Sequence, residues 1–146
     1  MSWTAHATHP NGGHRLPATL VDGQFELMDP EIRDTFHRAR DRALAEVKEV
    51  DAELYCGGLC LNGSGRVLSL LSGHGGSLTS LDTFSPPDVF NLLHAVDMLD
   101  FEFVTKELVL MGFDAENDPF LTYFWSATEF VRACASAQVG FECDRD

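Results

Sequence analysis

Apolar positions between residues 29 and 50 follow a helical period: Ile32, Phe36, Ala39, Ala43, Val47 and Val50 make one stripe, with mixed Arg and Asp/Glu on the other faces. Asp29 can cap this helix, Pro30 suits its first position, and Glu31 complements the positive end of its dipole. The spacing predicts a helix over about 30–50. Two apolar runs follow, Leu54–Leu61 and Val67–Leu71, joined by Asn62-Gly63-Ser64-Gly65. Turn residues between two apolar runs predict a β-hairpin.

Ser72–Phe84 is a Gly/Ser/Thr loop, and a second helix starts at Ser85, with Pro86 at its first position and Asp88 completing the cap. Val89, Leu92, Leu93, Val96 and Leu99 form its buried face. Further on, Glu107–Phe113 and Phe120–Trp125 flank the polar, proline-bearing segment 114–119, which reads as a second hairpin. Ser126-Ala127-Thr128-Glu129 then matches a capping box opening a last helix to about Gln138, closed by Gly140. A rival layout has 101–111 or 119–138 as a single helix. The preferred order is α-β-β-α-β-β-α, an α+β fold with a four-stranded, mostly antiparallel sheet covered by helices.

Residues 1–27 stand apart. The stretch to Pro17 has no apolar period and reads as a flexible arm, followed by a short hairpin signal at Val21-Asp22-Gly23-Gln24-Phe25. The globular domain is expected to span 28–146. Because the core pattern begins at Met28, that residue is an alternative translation start to Met1.

Charge sharpens this picture. The 146 residues suit one domain and carry a formal net charge of −13. Residues 1–48 hold six basic and seven acidic side chains, so the excess lies in residues 49–146, with four basic and sixteen acidic. Asp97, Asp100, Glu102, Glu107, Asp114, Glu116 and Asp118 face the single Lys106 in their segment. Such a field repels phosphates, which argues against nucleic acid and anionic membranes as partners and favours a basic protein partner. No apolar run approaches the ~20 residues of a membrane span. The first residues lack a secretory signal pattern, so a cytoplasmic setting with reduced cysteines is expected.

The motif-like fragments are weaker. Cys56 and Cys60, four apart in a regular strand, would stand roughly 13 Å apart, too far for one disulfide or one metal ion. His6, His9 and His14 match no zinc spacing. Asp114-x-Glu116-x-Asp118 opens like a calcium loop, but Pro119 and Trp125 stand where Gly and Glu are required. No metal and no cofactor are therefore expected. The loop Gly73–Ser77 can turn backbone amides inward as an anion nest, and His74 with Ser77, Thr79 or Asp82 is the place for a catalytic site. His94 reads as an interfacial histidine, and Phe120, Tyr123, Phe124 and Trp125 read as core, with some exposed for binding.

In architecture and charge the chain resembles small bacterial binding proteins such as immunity proteins and secretion chaperones, which implies protein binding. The expected function is an interaction module for a basic protein partner through the acidic residues of 97–118. The alternatives are a small hydrolase or transferase using the Gly73–Ser77 loop, and a homodimer sealed by aromatics of the second hairpin.

Overall fold

Trp3, Ala5 and Ala7 alternate with Thr4, His6 and Thr8, a period of two that places the first set on one face of a strand. In the computed structural model, which describes residues 3–10, 14–61, 64–72, 83–99, 101–110 and 120–145, this segment is strand β1 (Trp3–Thr8). It lies inside an antiparallel sheet. β1 is flanked by β4 (Gly58–Cys60) and by β6 (Gly140–Arg145), and β5 (Thr83–Phe84) continues beyond β6. A separate ribbon pairs β2 (Ala18–Val21) with β3 (Gln24–Leu27) across Asp22-Gly23, as the Asp-Gly signal predicts.

The α+β class and the four-stranded antiparallel sheet under helices are present, but the strands come from other parts of the chain. Trp3–Thr8 is an interior strand where a flexible arm was expected. Leu54–Leu61 divides into a 3-10 helix (Ala52–Cys56) and β4, with Gly57 turning between them at φ 79°. The expected strand Val67–Leu71 lies within helix α2 (Ser64–Ser72), because Val67, Leu68 and Leu71 share one buried helical face. The second hairpin's described residues are helical: Glu107 to Leu110 belong to α4 (Phe101–Leu110) and Phe120–Trp125 to α5 (Phe120–Ser136), while 111–119 lie outside the described residues. Phe124, Ala127, Phe130, Val131 and Cys134 recur at three- and four-residue intervals and are all buried, so one stripe runs through the supposed capping box. Ser126 and Glu129 are buried within α5 rather than capping its start.

α1 (Pro30–Glu46) and α3 (Pro86–Asp97) begin at the expected caps: Asp29 accepts from the Glu31 and Ile32 amides, and Ser85 and Asp88 form a reciprocal box. α5 is the central helix, packed on the sheet and against α1, α2 and α3. Cross-strand register puts Ala5 opposite Leu59 and Cys143, and Ala7 opposite Phe141, on the face toward the helices. There Phe141 stacks on Phe84 with ring centres 4.5 Å apart and meets Phe130 edge-on at 5.1 Å. The opposite face is polar, with Thr4, His6, Cys60, Glu142 and Asp144. Arg15, paired with Thr8, reaches Asp144 in an ion pair, and its Nε lies 4.0 Å from Glu142.

Asp51 ties three elements together. Its carboxylate accepts from the Glu53 amide (2.9 Å) and the Cys60 amide, while its own N–H donates to Ser126 Oγ (3.0 Å) on α5. Burial holds its carboxyl above the ordinary value of 3.8, opposed in part by the two amides. On acidification the native state thus takes up this proton before the unfolded chain does, and Asp51 contributes increasing stability as pH falls from neutral towards its ordinary value. Asp51→Asn cannot accept at both side-chain atoms and should cost about 1–2 kcal/mol at neutral pH. It also lacks the titration, so urea melts should show its deficit against the parent chain widening as pH falls towards ~4. A deficit that shrinks on acidification would contradict this.

Candidate interaction surface

The helical reading of residues 101–110 and 120–136 changes what the acidic region contains. α3 ends at Asp97, and α4 follows after Leu99. A groove of about 480 Å³ opens between the end of α3 and the first four turns of α5. Val96 and Leu99 form one wall, Leu121, Phe124 and Trp125 the other, and Glu46 and Arg132 stand at its ends. Its walls are apolar because the stripe of α5 is wider than the helices packed against it: Phe124 is buried, while Trp125 stays half-buried and Leu121 exposed.

Ionic contacts fix the helices around this groove. Arg42 on α1 donates to Glu129 at 2.9 Å, Arg132 lies 3.7 Å from the same carboxylate, and Arg132 also lies 3.5 Å from Asp97. Glu129 has only 6% of its side chain exposed, so it is shared by two cations largely out of water. The chain Arg42–Glu129–Arg132–Asp97 therefore links α1, α5 and α3.

Large apolar side chains are also exposed just after α3 and on α4. Met98 is 72% exposed and Phe103 on α4 is 60% exposed, and Val109 and Leu110 are also exposed. Among the acidic residues expected to bind a partner, Asp97 is exposed beside Arg132, Glu102 is exposed on α4, and Glu107 is half-buried. Asp100, Asp114, Glu116 and Asp118 lie outside the described residues, as do His74, Ser77 and the whole Gly73–Ser77 loop. His94 is exposed on α3 rather than interfacial. Val96 and Leu99 were read from the sequence only as the buried face of the second helix, and Glu46, Leu121 and Arg132 were not singled out. A helical period continued through 120–136 points to Leu121 and Arg132.

The remaining motifs are dispersed. Cys56 closes the 3-10 helix and Cys60 ends β4. Burial, and then the neighbouring Glu53 carboxylate, push the Cys56 thiol up to about 11, so at neutral pH it stays protonated and a poor nucleophile. His9 and His14 are exposed and joined by a backbone hydrogen bond of 3.0 Å, whereas His6 is half-buried on the polar sheet face. Among the described residues no group of three or more His, Cys, Asp or Glu is placed to hold a metal ion. No described helix is long and apolar enough to cross a membrane. Comparison with known protein families, curated proteins and solved structures finds no match to this chain.

Proposed function

We propose that this chain is a protein-interaction module that takes a basic, amphipathic segment of a partner in the groove between α3 and α5. The observation that carries the reading is an apolar groove of about 480 Å³ with Glu46 and Arg132 at its ends, Asp97 paired to Arg132 beside it, and its remaining lining drawn from the part of the chain that holds the acidic excess. Apolar side chains of the partner would fill the space between Leu99 and Leu121, and its basic residues would meet the long-range field of residues 49–146. The four free cysteines favour a reducing compartment such as the cytoplasm as its setting.

A synthetic helix with Leu at i, i+3, i+4 and i+7 and Lys elsewhere is a direct probe. In a Trp3→Phe background, Trp125 is the remaining tryptophan and reports from the groove wall. Saturable change in its emission is expected, with affinity falling roughly tenfold or more between low and ~0.5 M salt. Leu121→Ser should weaken binding by roughly tenfold, a loss of about 1.4 kcal/mol. A Lys/Ser peptide of equal charge should leave Trp125 unmoved. Equal response to both peptides, or binding indifferent to salt, would overturn the reading.

A further inference from the structure

The β2–β3 ribbon carries a feature that the groove does not use. Its turn residues have φ of 50° (Asp22) and 83° (Gly23), the left-handed pair of a type I′ turn. The turn closes at Val21–Gln24, and at the far end the Met28 amide donates to the Pro17 carbonyl at 3.0 Å. Hydrogen-bonded pairs alternate along an antiparallel ribbon, so Thr19–Glu26 is the one between. The N–H and C=O groups of Ala18 and Leu20 consequently point away from β3. Among the described residues neither has another backbone partner.

We propose that this edge is a self-association surface, on which two copies of the chain pair antiparallel along β2 to make a four-stranded ribbon. An open row of amides and carbonyls is complemented by another extended strand. Edges meant to stay free usually carry a lysine, a proline or a bulge. Ala18–Val21 contains none of these within the strand, and its register with β3 is continuous. All four residues of β2 are exposed. Leu20 and its cross-strand neighbour Phe25 are each 61% exposed.

Charge selects a second copy as the occupant. A chain of net −13 opposes contact with itself, but residues 1–48 hold six basic and seven acidic side chains, and β2 itself is uncharged. Meeting at β2 brings together the balanced parts of two chains. The edge is also preformed. Leu27 is buried at the base of the ribbon, and Tyr55 donates to Glu26 at 3.1 Å while stacking on His37 with ring centres 4.0 Å apart.

A two-fold axis at Thr19 satisfies this edge. Ala18 of each copy then lies opposite Leu20 of the other, exchanging both hydrogen bonds, and the two Thr19 residues face each other as a non-hydrogen-bonded pair. On one face the row reads Phe25, Leu20, then Ala18 and Leu27 of the second copy.

Facing Cα atoms in such a pair lie about 4.5 Å apart, within disulfide reach. Mild oxidation of Thr19→Cys should therefore give a covalent dimer, whereas Asp22→Cys at the turn should give little. Sedimentation across concentration should show a monomer–dimer equilibrium, weakened roughly tenfold or more by Leu20→Lys, which charges the edge, and by Leu20→Pro, which removes an outward N–H. Leu121→Ser should leave the dimer intact. A monomer at every concentration, a dimer indifferent to both Leu20 variants, dissociation by Leu121→Ser, or equal cross-linking at 19 and 22 would each overturn the proposal.

Discussion

A chain begun at Met28 is expected to lose its cooperative thermal transition. β1 pairs with β4 on one side and with all six residues of β6 on the other, so its removal takes out the strand that joins the sheet. Ala5, Ala7, Leu16 and Leu27 leave the core with it, and each is buried. The backbone groups of β4 and β6 that face β1 would be left without partners, at about 1–3 kcal/mol for each buried group. Several such losses together, with the lost core burial, are comparable to the ~5–15 kcal/mol by which domains are stable. Circular dichroism and calorimetry on residues 28–146 should show a broad, non-cooperative melt. A sharp transition near that of the whole chain would show that β1 is dispensable.

Phe141→Ala should cost about 3–5 kcal/mol, the range for deleting a buried phenyl ring. Phe141 is fully buried on the interior strand β6, where its ring touches both Phe84 and Phe130. Filling the space would need β5, β6 and α5 to move together, and Gly140 prevents the nearest approach from relaxing. A Cβ on Gly140 would already meet the Phe84 carbonyl oxygen at 2.3 Å, so the backbones of β5 and β6 are in contact there. For a chain of this size the loss corresponds to a fall in Tm of roughly 10 °C or more. Phe141→Leu should retain about half of the lost stability. Calorimetry on the two variants checks both values, and a Phe141→Ala chain within ~1 kcal/mol of the parent would contradict the packing argument.

Signals carried by neighbouring residues were legible in the sequence. Asp29-Pro30-Glu31, Ser85-Pro86-Asp88 and Asp22-Gly23 each act through side chains and φ angles within a few residues, and each marks the start or turn that the structure shows. Long-range pairing was not legible. Trp3–Thr8 alternates with a period of two, but its apolar positions beyond Trp3 are only alanines, a weak signal, and its main partner, Gly140–Arg145, lies at the other end of the chain. The same limit explains residues 120–136. Phe, Thr, Tyr and Trp favour strands in isolation, but burial of a three- and four-residue stripe against α1, α2 and α3 overrides that preference. Ser126 and Glu129 looked like a helix start because their spacing is right. In the fold, Ser126 accepts from the Asp51 amide and Glu129 binds two arginines from inside α5.

The candidate surface divides in the same way. Charge is additive along a chain, so the excess of acid in residues 49–146 and the near balance of residues 1–48 follow from the sequence by itself. The caps and the Asp-Gly turn follow too, because they rest on local geometry; the α+β class is as expected, although most of its strands come from segments other than those expected. A groove and a free edge depend instead on which faces remain after packing. Tertiary structure decided that Val96, Leu99, Leu121 and Trp125 share a groove, that Asp97 binds Arg132 beside it, and that β2 has a partner on one side alone among the described residues. Those outcomes depend on contacts between residues far apart in the chain, whose energies no local pattern encodes.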